Sequence, residues 1–220
     1  ELRSAFTQWG LPERVRVDNG VPWGSDDGLP TELECWLTGL GVTLTLNPPY
    51  RPQKNAVVER SQGVAKQWTE PRTCATPEEL QDRLDQMDHR QREQYPHAPS
   101  GRSRLASHPQ LAHSVRGYDP ASEVERWSVD PVKKHLAEYV IRRRVDSQGK
   151  ISVYNTQRFA GRDLCGRTLH VQFDPVEVRW VMLDDRGHEL RRVDAPEVCD
   201  EAIRGMRMMY RIPCRPAPHA

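Results

Sequence analysis

The chain has no apolar run of about 18 residues, which excludes a membrane-spanning helix of ordinary composition. Its opening residues, ELRSAFTQWG, lack a basic stretch followed by an apolar one and do not read as a secretory signal. They also lack an initiating Met, as expected of a fragment or a trimmed chain. Cysteine is scarce. Cys35, Cys74, Cys165, Cys199 and Cys214 are far apart and odd in number, with no CxxC pair. Neither a zinc ribbon nor a disulfide framework is expected, and a reducing cytosol suits these thiols. The eight histidines contain no HxxxH pair. Excess charge is also missing: 32 basic and 31 acidic residues leave a net charge of +1, unlike a disordered polyelectrolyte. Internal repeats and low-complexity tracts are absent. The 220 residues leave room for one large or two small domains.

What is present is unevenly placed. Residues 1–70 and 71–132 each carry a net charge of −2, and residues 169–220 carry −1. Residues 133–168 carry nine basic and three acidic side chains, a net of +6. The block consists of Lys133, Lys134, Arg142, Arg143, Arg144, Lys150, Arg158, Arg162 and Arg167. Clustered charge of one sign attracts a polyanion even when the whole molecule is near neutral. The plainer reading is a solvated face of strands and turns.

Periodicity gives a coarse outline. Leu2, Ala5, Phe6 and Trp9 recur at helical spacing, and Gly10 ends that helix. Val15 and Val17 alternate with arginines in a short strand that runs into Asp18-Asn19-Gly20. Thr31 caps a helix carrying Leu33, Trp36, Leu37 and Leu40, closed by Gly41. VTLTL at 42–46 is a second strand, followed by the proline-stiffened loop NPPYRPQKN and a helix from about Ala56 to Trp68. Thr76, Pro77 and Glu79 open another helix through a capping box. Residues 96–120 read as irregular. Beyond them YVIRRRV, KISVYN, TLHVQFD and VRWVMLD alternate as strands between Gly-containing turns, as in a small SH3-type barrel.

Two carboxylates stand out. Asp18 lies at the carboxyl end of a strand, where open α/β sheets place ligands. Glu59 lies in the first turn of a helix after a stiff loop able to return it toward Asp18. Such a pair suits Mg²⁺ or Mn²⁺. Glu59, Gln62, Gly63 and Lys66 share one helix face, where a carboxylate, an amide and an ammonium could hold metal and phosphate together. An isolated Asp-Asn-Gly is more often a turn than a metal site, and a lone Glu is commonly a solvated helix residue. Trp9, Trp36, Trp127 and Trp180 read as core or interface aromatics, and Cys35 as a buried apolar residue.

VRVDNG followed by GVTLTLNPPYRPQKNAVVER resembles the catalytic core of DDE integrases and insertion-sequence transposases of the retroviral-integrase superfamily. The resemblance implies an α/β, RNase-H-like core, partial here, followed by a small SH3-like all-β barrel. Asp18 matches the second acidic residue of that family's triad and Glu59 the third. Tyr50, Pro52, Gln53 and Asn55 match the loop before the catalytic helix. Lys66 matches a DNA-contacting basic position. EQYPHAPSGRSRLASHP loosely resembles the segment closing such cores, and KISVYNTQRFAGRDLCGRTLHVQFDP the barrel after them. The likeness covers most of residues 1–195. It implies residues 1–95 as core, 96–132 as linker, 133–195 as a DNA-binding barrel and 196–220 as a C-terminal tail. It further implies Mg²⁺ or Mn²⁺ as cofactor for the complete enzyme. DNA (transposon ends and target) would be the partner, the complete enzyme a homo-oligomer, and the location a bacterial cytoplasm, at the nucleoid.

The chain departs from the family in three ways. Residues 1–17 contain no Asp, so the first acidic position has no counterpart. Asp26 and Asp27 fall in a loop after the strand. The spacing from Asp18 to Glu59 is long, and position 56 is Ala where many relatives have Gly. The expected function is therefore metal-dependent DNA strand transfer by a DDE-type transposase, with this fragment inactive alone. Unpaired strand edges should also leave it weakly stable alone, or completed by another chain. The alternative is a non-catalytic DNA-binding or assembly module of a truncated transposase. A nuclease of the wider RNase-H-like superfamily is a third, weaker reading.

Overall fold

A computed structural model of the chain describes residues 1–25, 27–48, 56–96 and 101–208. The protein is mixed α/β, and its contacts divide it into two units, each built from two separated stretches. One unit contains Glu1–Pro12 and Asn47–Ala121; the other contains Glu13–Leu46 and the residues from Ser122 onward. The first unit runs across position 95, and the second joins residues from before 95 to residues on both sides of 132.

In the first unit, helix α1 (Leu2–Trp9) buries Phe6, whose ring meets Tyr118 edge-on at 5.8 Å. Gly10 then turns at φ 76°, with no room for a side chain: a Cβ there would stand 2.9 Å from the Arg116 carbonyl oxygen. Trp9, expected as a core or interface aromatic, is half-buried under the Arg92 guanidinium, 3.6 Å from the ring centroid. Two longer helices, α3 (Ala56–Thr69) and α4 (Pro77–His89), pack on each other. Thr76 caps α4 by accepting from the Glu79 amide at 3.2 Å. The Glu79 carboxylate reaches back one residue further than a capping box requires, accepting from the Ala75 amide at 2.8 Å. The helix changes pitch after His89, and Arg90–Gln94 form a π-helical turn. A short helix, α5 (Arg104–Ser107), follows.

The second unit opens with strand β1 (Arg14–Val17), helix α2 (Glu32–Gly39) and strand β2 (Thr43–Leu46). β1 and β2 pair in parallel, Arg14 opposite Thr43 and Val17 opposite Leu46. A parallel pair needs a crossover, and α2 supplies it. The Thr31 side chain accepts from the Glu34 amide at 3.1 Å to start the helix. At its end the Gly41 amide donates to the Thr38 carbonyl oxygen and the Val42 amide to that of Leu37, each at 2.9 Å, a Schellman closure. Cys35, Trp36 and Leu37 are buried. No residue of β1 or β2 is fully buried, and both outer strand edges are unpaired among the described residues.

Helices α6 (Glu123–Arg126) and α7 (Val129–Leu136) precede the strands, and α7 packs on α2 through Val132 and Leu136. A four-stranded antiparallel sheet follows, ordered β3 (Val140–Arg144), β6 (Thr168–Asp174), β7 (Arg179–Leu183), β8 (Glu189–Asp194). A hairpin of β4 (Lys150–Val153) and β5 (Thr156–Phe159) accompanies it. Period-2 alternation sets the core: Ile141, Leu169, Val171, Phe173, Trp180 and Met182 are buried, and their neighbours face outward. Strands β5 and β8 have no apolar alternation, so the sequence pattern passed over them. Residues beyond 195 continue this core. Val198, Met208 and both Ala202 and Ile203 of helix α8 (Asp200–Arg204) are buried.

Candidate functional site

Asp18 follows the last residue of β1, exposed at the strand's carboxyl end. Its Oδ1 accepts from the Gly20 amide at 3.0 Å, so the Asp-Asn-Gly segment is an Asx turn. The turn is held from behind. The amides of Trp23 and Gly24 donate to the Gly20 carbonyl oxygen at 2.9 and 3.0 Å. A Cβ on Gly24 would stand 2.3 Å from the Asn19 carbonyl oxygen, so the loop closes only on glycine.

Glu59 lies on α3 in the first unit, and Asp18 belongs to the second. On α3, Glu59, Gln62, Gly63 and Lys66 are all exposed, as their shared face requires. Val64 and Trp68 are half-buried and Thr69 is buried on the remaining surface. Tyr50, Gln53 and Asn55 lie outside the described residues. The carboxylates of Asp18 and Glu59 are hard oxygen donors of the kind Mg²⁺ or Mn²⁺ takes. Among the described residues no group of three or more His, Cys, Asp or Glu side chains could hold a metal ion.

The basic block separates into four kinds of residue. Arg158 is a correction: it is buried, and both oxygens of Glu197 accept from its Nη2 at 2.6 Å. A guanidinium held inside the fold does not meet a phosphate. Arg143 is committed to structure, donating through Nε to the Ser152 carbonyl oxygen at 2.9 Å and through Nη2 to that of Asp27 at 2.7 Å. Lys133 and Lys150 have local partners, Asp130 at 3.8 Å and Gln148 at 3.0 Å. Lys134, Arg142, Arg144, Arg162 and Arg167 are exposed, with no ion pair or side-chain hydrogen bond to any described residue.

Register places two of these last residues together. Arg142 stands opposite His170 and Arg144 opposite Thr168, on the outer face of the edge strand β3. Arg167 directly precedes β6, and its carbonyl oxygen accepts from the Val145 amide at 2.8 Å. The far side of the same sheet is largely compensated, although Arg186 and Arg191 there form no ion pair with a described residue. Arg192 there is bonded to Asp174 at 2.7 Å and to Glu189 at 2.9 Å, and Arg179 to Asp194 at 3.0 Å. Unpaired positive charge is thus concentrated at the β3 end.

Two groupings escaped the sequence reading. His135 on α7 meets Glu34 on α2, Nε2 to Oε1 at 3.0 Å, with the Tyr139 hydroxyl 3.4 Å from the same nitrogen. This hydrogen bond to Glu34 raises the imidazole pKa above its ordinary value. Burial pushes the Tyr139 phenol up to about 12. Burial also raises the Cys35 thiol, which is therefore unsuited to nucleophilic work. The second grouping surrounds Trp68 in the first unit. Spacing hints at part of it, since Arg60, Val64 and Trp68 recur every four residues. Gln91 and Tyr95 arrive through the π turn, which has no local signature, and Arg104 comes from α5.

No protein-family model matches the chain. Among the described residues, no helix is long and apolar enough to cross a membrane.

Proposed function

We propose that the chain is part of a DDE-type transposase that joins DNA strands, with a partial RNase-H-like core and an SH3-like barrel. The observation that carries this reading is the β1–α2–β2 unit with Asp18 fixed at the carboxyl end of its first strand. The exposed face of α3, with Glu59 and Lys66 two turns apart, supports it. In this reading Asp18 and Glu59 hold Mg²⁺ or Mn²⁺, and Lys66 contacts a DNA phosphate. What a divalent ion supplies in such a site is positive charge at the attacking and leaving oxygens of a phosphodiester. The Asx turn keeps Asp18 pointed outward without rearrangement. The β3 end holds duplex phosphates through Arg142, Arg144 and Arg167, which orients DNA without reading its sequence. The activity belongs to the nucleoid of a bacterial cytoplasm and to a homo-oligomer on transposon ends and target DNA.

Because residues 1–17 contain no Asp, the reaction needs a carboxylate from outside these residues. The test is strand joining with Mn²⁺ by the product of the complete reading frame. Asp18→Asn and Glu59→Gln should each abolish joining while duplex binding persists. Joining that survives both substitutions overturns the proposal. A second reading, a DNA-binding or assembly module without catalysis, is favoured by the uncompensated arginines at the β3 end. It predicts duplex binding, no joining by any form of the chain, and indifference to both substitutions.

A further inference from the structure

We propose that the Trp68–Tyr95 groove beside α3 is a binding site for single-stranded DNA, seated through base stacking. The groove encloses about 480 Å³, and its lining includes Arg60, Gln67, Trp68, Gln91, Tyr95 and Arg104. No acidic side chain lines it among the described residues, and neither Arg60 nor Arg104 forms an ion pair with a described residue. Positive charge is thus left for a ligand to neutralise.

The aromatic pair is built for a flat partner. Trp68 and Tyr95 meet edge-to-face, with centroids 5.5 Å apart and planes at 61°. Arg90 stacks its guanidinium 5.2 Å from the Trp68 centroid. Tyr95 nevertheless remains 51% exposed, and Trp68 is half-buried between this groove and a second one lined by Arg83, Met87 and Arg90. The backbone pays for the arrangement: the Tyr95 amide donates to the Arg90 carbonyl oxygen at 2.7 Å, closing the wide ring of the π turn. π turns are rare and cluster at functional sites. This one swings Tyr95 across Trp68.

Guanidinium groups beside exposed rings, with glutamine amides between them, match a strand that presents both phosphates and bases. A duplex hides its base faces and cannot use the rings. Arg60 directly follows Glu59, and successive residues turn about 100° around a helix. A strand in the groove therefore lies alongside the Glu59 face of α3. Only that last step rests on the strand-joining reading; the groove itself does not.

The test uses the full chain with three labelled probes: an oligothymidylate, an abasic strand of equal length, and heparin. The oligothymidylate should bind at least about fivefold more tightly than the abasic strand, since stacking one base contributes about 1–3 kcal/mol. Tyr95→Ala should erase that preference and leave heparin binding unchanged, while Tyr95→Phe should keep it. Arg60→Ala with Arg104→Ala should lower the salt dependence for both strands by about 0.7 per lost phosphate contact. Equal binding of the two strands, an unchanged preference in Tyr95→Ala with a wild-type urea midpoint, or no binding of any strand would overturn the inference. If the preference holds but Asp18→Asn and Glu59→Gln leave joining intact, the groove stands and the strand-joining reading falls. Loss of the preference with joining still dependent on both carboxylates gives the reverse.

Discussion

Arg158 and Glu197 form a buried ion pair, with both carboxylate oxygens 2.6 Å from the guanidinium Nη2. Trp180 completes it, donating through Nε1 to Glu197 Oε1 at 2.7 Å. The Asp194 carbonyl oxygen accepts from Arg158 Nη1. The pair ties hairpin strand β5 to the segment after β8, beside the buried Trp180 ring of the antiparallel sheet.

Removing one member of such a pair strands a charge away from water. Glu197→Gln is expected to cost about 3–5 kcal/mol, read as a lower urea midpoint. Arg158→Met combined with Glu197→Leu should recover more than half of that loss, because apolar replacements of a whole pair are commonly neutral. A double variant no better than Glu197→Gln would mean that Trp180 and its hydrogen bond dominate.

The exposed arginines should behave in the opposite way. Arg142→Ala and Arg144→Ala should each change stability by less than about 0.5 kcal/mol. Each should flatten the plot of log K against log salt for duplex DNA by about 0.9, one phosphate contact's worth of released counterions. Titrations at several salt concentrations give the slope directly.

Two helical glycines are expected to differ in sign. A Cβ on Gly39 would stand 2.1 Å from the Trp127 indole, which donates through Nε1 to the Trp36 carbonyl oxygen at 2.9 Å. Gly39→Ala should cost about 1–3 kcal/mol by overpacking. Nothing lies within 4 Å of a Cβ on Gly63, so Gly63→Ala should add about 0.5–1 kcal/mol through helix propensity. Thermal unfolding of the two single variants checks both directions.

The His135–Glu34 contact predicts a pH dependence. Its principal cause is the hydrogen bond to Glu34, which raises the folded-state pKa, with Glu138 adding to it. A raised histidine value means that the folded state holds its proton more tightly than the unfolded chain. The stabilisation is therefore fully present below about pH 6.5 and is lost as pH rises through the raised value. Glu34→Gln should remove most of that dependence. Urea midpoints measured on both sides of neutrality would show the wild-type slope and its disappearance.

How much of this was legible in the sequence depends on the kind of signal. Helices α1 to α4 and strands β1, β2, β3, β4, β6 and β7 follow from caps and apolar periodicity, because those forces act locally. Trp36, Trp127 and Trp180 are buried as their size suggests, and Cys35 is buried on α2. β5 and β8 were missed because TQRF and ELRRVD put charge where a pattern search seeks apolar alternation. Arg158 was misread for the same reason. Sequence shows an arginine within a basic run, whereas its buried counter-ion lies 39 residues further on. Asp18 and the exposed face of α3 were legible because each depends on residues within a few positions.

The interleaving of the two units bears on how the chain is made. α2 carries Trp36 and Leu37, yet the helix that covers it, α7, is translated about a hundred residues later. At elongation rates of about 5–20 residues per second, those side chains wait about 5–20 seconds for α7. A nascent chain in that interval exposes the apolar face of α2 that α7 later covers. The same wiring means that deleting 133–168 removes the end of α7 and strands β3, β4 and β5 from the unit that holds α2, so a loss of function in such a truncation would report on unfolding.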